Sequence, residues 1–260
     1  MVYKKHFLSD VIIRLDLVST DPPFVDTIDK TISDSCKRYF NKSEIRVIEQ
    51  KFISINEKGF PSFIGSEKGY EWFYSNSSKS KSLVVSPKTI LIATKNYITF
   101  EDLMEPFYDV VAAYLKVYNN CLLRRLGVRY VDKIDLFNLN KSKEISISSF
   151  WNKYIAKEII NPLFFYPYAE QHLSRNINIL EWNYEDFGIK LQTGIFNSDN
   201  DPVSVKNKPF ILDTDVFTTS IIEFNELKYF LEKFKNEANK LFELAIKPKL
   251  RNIMEINNDE

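Results

Sequence analysis

Glycine is in short supply in this chain, with six in 260 residues, about 2% against an average near 7%. Loops that cradle phosphate need residues that tolerate positive φ and let a backbone approach closely. Neither G-x-G-x-x-G nor G-x-x-x-x-G-K-[ST] occurs, and G-x-S-x-G, the turn that exposes a hydrolase serine, is missing too. Dinucleotide enzymes, Walker-type NTPases and the common serine hydrolases are therefore disfavoured. The nearest glycine cluster, Gly59, Gly65 and Gly69, sits in EKGFPSFIGSEKGYEW beside Pro61 and reads as a long hairpin connection.

Metal-binding and nucleophilic residues are equally sparse. The chain has two histidines, His6 and His172, and two cysteines, Cys36 and Cys121. A zinc ribbon, a disulfide framework and an H-E-x-x-H helix are excluded by count and spacing. His172 is expected at the surface or in a cap, and Cys36 buried on its helix. Cys121 has no base near it in sequence to make it a nucleophile. No stretch approaches the roughly 18 apolar residues of a membrane span, and MVYKKHFLSD lacks a secretory apolar run. The expectation is a soluble cytoplasmic protein that does not enter a membrane. Charges balance, 35 basic against 35 acidic, so nucleic-acid binding is not indicated by net charge, although a local patch fits inside a neutral total.

What the chain does have is patterned hydrophobicity: 44% apolar and 15% aromatic, with 21 Phe, 14 Tyr and 3 Trp. VIIRLDLVS reads as a strand, and DPPFVDTIDKTISDSCKRYF as a helix capped by Asp21. SEIRVIEQKFISI, YEWFYSNSS and SLVVSPKTILIATKNYITF read as an antiparallel meander. EDLMEPFYDVVAAYLKVYNN, capped by Thr99 or Asp102, is a helix. The same order then repeats. CLLRRLGVRYVDKIDLF is a strand, SISSFWNKYIAKEI a Ser-capped helix, and INILEWNYED, FGIKLQTGIF and KPFILDTDVFTTS are three strands. EFNELKYFLEKFKNEANKLFELAIKPKLRNIME is a long final helix, which Pro248 should kink or stop. The reading is an α+β fold, mainly an antiparallel sheet with helices on one face, built from two similar β-α-β-β-β-α halves over residues 1–120 and 121–254, with a flexible tail at 255–260.

Three segments carry a resemblance. In LGVRYVDKI, with the arginine before it, Arg125, Gly127, Arg129, Tyr130 and Ile134 match an R-x-G-L-R-Y-x-N-x-I motif, with Asp132 in place of the amide. Leu212, Asp213 and Asp215 match L-L-D-x-D. Phe242, Glu243, Ile246, Leu250 and Arg251 match a helix ending in F-E-x-x-I-T-x-x-L-R, with Lys247-Pro248 at the Thr position. On these the chain resembles an uncharacterised, sporadically distributed prokaryotic family of about this length, over nearly its whole extent. That resemblance implies no established activity. It implies spread by horizontal transfer, a habit of accessory and anti-phage defence genes.

The same residues pose a chemical question. By the two-residue strand period Arg125, Gly127 and Arg129 share one face, as do Asp213 and Asp215 in the apolar run ILDTDVF. One solution pairs Arg129 with Asp213 or Asp215 across strands, bidentate where geometry allows, with Arg251 joining from the last helix. A second makes Asp213, Asp215, Glu226 and Lys228 a D…E-x-K divalent-metal nuclease site, although EFNELKYFL has the spacing of a helix start. A third makes Arg124, Arg125, Arg129 and Lys133 an anion or RNA pocket with Tyr130 stacking on the ligand. Aromatics concentrate at Trp72, Phe73 and Tyr74 and at Phe164, Phe165, Tyr166 and Tyr168, dense enough for surface stickiness, although burial against the helix layer is the favoured fate of the second group. The reading preferred on sequence is a non-enzymatic interaction or regulatory subunit with no cofactor and a protein partner or second copy. The metal nuclease and the anionic ligand or RNA sensor are the alternatives.

Overall fold

Alternation decides the architecture. In the first strand, β1 (Leu8–Val18), Val11, Ile13, Leu15 and Leu17 are buried and the intervening residues are not, the mark of a strand with one covered face. The structure, a computed structural model, describes residues 3–18, 27–55, 61–136, 146–166, 172–197 and 208–255. The helices are α1 (Lys30–Lys37), α2 (Glu101–Val117), α3 (Ile147–Trp151), α4 (Lys157–Ile160), α5 (Leu227–Ala245) and α6 (Pro248–Met254). The other strands are β2 (Lys42–Ile55), β3 (Pro61–Ser75), β4 (Lys81–Val85), β5 (Thr89–Thr94), β6 (Leu122–Ile134), β7 (Asn176–Asn183), β8 (Phe187–Ile195) and β9 (Phe210–Thr218). The sheet order is β2-β3-β4-β5-β1-β6-β9-β8-β7, and the fold is α+β.

Both halves use one wiring. A strand and a helix are followed by an antiparallel meander whose last strand returns beside the first: β5 lies next to β1, and β9 next to β6. The first meander has four strands and the second three. Two compact units result. One comprises Ile13–Leu126 with Ile221–Leu227. The other comprises Met1–Ile12, Gly127–Ser220 and Lys228–Glu260. Their division falls inside β1 and β6, so it differs from a cut at residue 120.

In the Ile13–Leu126 unit, Trp72, Tyr74, Leu83, Val85, Ile90 and Ile92 are buried at alternate positions of consecutive strands. Helix α1 packs against α2 and α2 against β5, contributing Ile32, Cys36, Phe107, Val110 and Val111 to the core. Burial pushes the Cys36 thiol up to about 12, which makes it inert packing. α1 begins behind Asp29, whose carboxylate accepts from Thr31 N at 2.7 Å. The expected cap Asp21 lies outside the described residues, and the helix is shorter than its sequence signal. Thr99 and Asp102 cap α2 reciprocally, each accepting from the other's backbone N–H. The glycine-rich connection resolves differently from expectation. Gly65 and Gly69 lie inside β3, which pairs along β2 with one register shift between Phe52 and Ile53. A bulge absorbs what looked like loop chemistry.

In the other unit, the core gathers Ile134, Phe150, Trp151, Tyr154, Phe210, Leu212, Ile246 and Leu250. The expected single helix after β6 breaks into α3, capped by Ser146, and α4. Between them Ile155 forms a β-bridge with Ile246 at the α5–α6 break, and Lys247 Nζ donates to Asn152 O at 2.7 Å. The α5 stripe Leu231, Phe234, Ala238 and Ala245 is buried, so the helix packs inward. Pro248 opens α6 at its first turn, where its missing N–H costs nothing. Tyr3 Oη and Arg251 Nε reach the two oxygens of Glu243, at 2.5 and 2.9 Å. Lys4 N and Lys5 N donate to Glu255 O and Met254 O. The tail from residue 256 lies outside the described residues.

Two glycines separate necessity from tolerance. Gly194 has φ +136°, and a Cβ there would run into the carbonyl of Asn176 on β7. Gly194→Ala should lose about 2–4 kcal/mol in denaturant melts. At Gly69 the nearest atom to an added Cβ is Ile48 O at 3.9 Å, so Gly69→Ala should stay within about 1 kcal/mol of the parent.

Candidate interaction face

Strand β6 sorts its residues by parity. Leu126, Val128, Tyr130, Asp132 and Ile134 are buried, whereas Arg129 and Lys133 on the other parity are exposed and Arg125 half-buried. Antiparallel partners share a side, so register extends the sorting across β9, β8 and β7. Arg129 lies opposite Asp215, Asp215 opposite Lys190, and Lys190 opposite Glu181. The result is a row across four strands that alternates plus, minus, plus, minus on the side away from the core. The next row runs Val131, Asp213, Gln192, Ile179.

The strongest contact on this face runs diagonally. Arg129 Nε donates to Asp213 Oδ1 at 2.7 Å and Nη2 to Asp213 Oδ2 at 2.6 Å, a bidentate fork that reaches past the directly opposed Asp215. The hydrogen bond to Asp213, with the charges of Asp213, Asp215 and Asp10, outweighs desolvation and holds the guanidinium above its ordinary pKa. Its side chain is 48% exposed and that of Asp213 11%. The pair is therefore an edge-on clamp open to solvent, not a core network. Lys190 Nζ and Glu181 Oε1, at 3.2 Å, form the second pair of the row.

The other expected site residues go elsewhere. Arg251 bonds Glu243 within the C-terminal helices and is committed there, because the turn at Lys247-Pro248 folds α6 back on α5. Tyr130 is buried on the opposite side of β6 from Arg129, so it cannot stack on a ligand held by that arginine. Arg124 is exposed at the start of β6, where the alternation has not yet set in and Leu123 beside it is buried. Glu226 accepts from Glu223 N at 2.8 Å in a capping box. Lys228 sits in the first turn of α5, where residues two apart do not face each other. Among the described residues no group of three or more His, Cys, Asp or Glu is placed to hold a metal ion. Asp213 gives both oxygens to the Arg129 fork, and Glu226 gives an oxygen to its capping box.

Asp132 is the residue that motif reading passed over. It is 5% exposed on the covered side of β6, opposite Leu212, and makes no hydrogen bond to another described side chain. Desolvation raises its carboxyl from 3.8 to about 7. Its signal in the sequence is parity alone: an acid in step with Leu126, Val128, Tyr130 and Ile134.

Two measurements follow. The half-exposed clamp places Arg129→Leu at about 1–2 kcal/mol of lost stability, between a surface and a buried pair, shrinking as salt rises. For Asp132 the folded pKa lies above the unfolded one, so its stability contribution is complete below about pH 4 and is lost as pH rises through about 7. Asp132→Asn should melt like the parent near pH 4 and be more stable by about 1–3 kcal/mol above pH 7.5 in pH-resolved denaturant melts. Neither a protein-family model nor a curated protein sequence matches this chain.

Proposed function

We propose that the chain is a non-enzymatic interaction or regulatory subunit acting in the cytoplasm, within a horizontally transferred accessory system such as anti-phage defence. The observation that carries this reading is the exposure of Phe165 and Tyr166, at 90% and 64%. Their burial was the favoured expectation, and the outcome is the opposite. The turn that presents them is anchored: Leu163 is buried in the core, and Lys157 Nζ sits 5.8 Å from the Phe164 ring centroid. Asn178 Nδ2 on β7 also donates to Ile159 O of the preceding helix, at 3.5 Å. Tyr168 of the same cluster lies outside the described residues.

Exposed aromatics on an anchored turn offer a large apolar area for two side-chain torsions each, and aromatics dominate protein interfaces. The charge row on the opposite, open side of the sheet is already paired within it, which suits recognition by a macromolecule whose own charges alternate, since each pair can exchange partners across a contact. The resemblance at Arg125, Gly127 and Arg129, at Asp213 and Asp215 and at Arg251 supports the accessory-gene setting. No helix among the described residues is long and apolar enough to cross a membrane.

The test pairs Phe165→Ser with Tyr166→Ser. The double variant should keep the parent melting temperature while losing at least tenfold in affinity for the protein encoded by the adjacent gene, measured by titration calorimetry. Metal-dependent cleavage of DNA or RNA, or nucleotide turnover, by the purified protein that disappears in Asp213→Ala would overturn the proposal.

A further inference from the structure

The two outermost strands of the sheet, β2 and β7, carry matching patterns. Neither pairs with a further strand among the described residues, and neither contains proline. β7 exposes side chains on both of its faces: Ile179 (52%) and Glu181 on the open side, Leu180 (44%) and Trp182 on the side shared with buried Leu191 and Ile189. β2 does likewise. Ile45 and Val47 (61%) are exposed on the parity that faces buried Trp72 across the register, and Arg46 lies on the other, over the Phe73 ring at 3.5 Å. Apolar edges with no further strand among the described residues invite strand addition.

We propose that the chain self-associates by antiparallel pairing of β7 in one copy with β2 in another. Setting Glu181 opposite Arg46 fixes the register and aligns every other feature. Ile179 then meets Ile48, Leu180 meets Val47, and Trp182 meets Ile45. The core-side residues of one strand fall beside the core-side residues of the other, so Leu180–Val47 and Trp182–Ile45 stand on the core side, while Ile179–Ile48 stands beside the ion pair on the open side. Arg46 keeps its place over Phe73 while exchanging its intrastrand partner Glu44, now 2.5 Å away, for the incoming carboxylate. Glu181 gains a second cation beside Lys190, continuing the alternation of charge across the joined strands.

Pairing each edge with its own copy fits worse. Two β7 strands in antiparallel register set Glu181 against an isoleucine, against itself or against Asn183 at the strand end. Two β2 strands that match Glu44 to Arg46 leave Val47 opposite Ser43. The β7–β2 contact is heterologous, so it propagates from copy to copy until it closes on itself. It rests on different residues from the aromatic turn of the proposed function and stands whether or not that turn binds a partner.

Sedimentation equilibrium on the full chain provides the test. The parent mass should rise above the 30.6 kDa monomer with concentration, reaching at least twice that value. Glu181→Arg and Arg46→Glu should each hold the mass at the monomer, and the two combined in one chain should restore association. Phe165→Ser should associate like the parent. A thermal melt checks that each variant folds, and where Glu181→Arg melts low, Val47→Lys reads the same contact from the other strand. The proposal is overturned if the parent stays monomeric up to about 0.5 mM. It is also overturned if Glu181→Arg associates undiminished, the mark of β2 pairing with β2, or if the double charge reversal fails to restore what the single changes remove.

Discussion

The polar face of this sheet depends on the fact that its central strands β1 and β6 bury one side and leave the other open. A side chain's parity along the strand decides whether it meets a helix or water, and a one-residue slip would exchange the two sets. Val11, Ile13, Leu15 and Leu17 on β1, and Val128, Tyr130 and Ile134 on β6, fix the register by their burial. That register then places Arg129, Asp213, Asp215, Lys190 and Glu181 on the solvent side without further specification. The polar chemistry of the sheet is a by-product of hydrophobic phase. Because the arginine fork spans two positions of β9, the polar side also resists sliding of β6 along β9.

Periodicity in the sequence showed most of this. The strands after residue 120, the amphipathic stripe of α5 and the interruption at Pro248 follow from apolar spacing and proline chemistry, which act over a few residues. What spacing could not show is where two distant strands meet. ILDTDVF offers Asp213 and Asp215 with equal claim on Arg129. The choice of Asp213 is a matter of side-chain reach, since Asp215 is the one directly opposite. Arg251 looked available to the sheet because its commitment to Glu243 depends on a helix break that turns the chain back on itself. The β3 glycines misled for a related reason. Glycine signals a loop only when nothing pairs with it, and here β2 does.

Asp132 shows what motif reading trades away. Within LGVRYVDKI, Arg129 and Lys133 attract notice because they are charged on an exposed parity, whereas the acid on the buried parity is the costlier residue. A solvent-side ion pair on this sheet shifts stability only modestly. A carboxyl held in the apolar layer makes the whole fold respond to acidity in the neutral range.

The clasp among Tyr3, Glu243 and Arg251 has a topological outcome. It brings the first described residues against the last, with Lys4 N 3.2 Å from Glu255 O. Burial and the hydrogen bond to Glu243 raise the Tyr3 hydroxyl to about 12, so the clasp keeps its proton throughout the neutral range. With Lys4 and Glu255 this close, a short peptide joining these two positions would let new termini open at a surface turn, and versions permuted in this way should keep the same sheet.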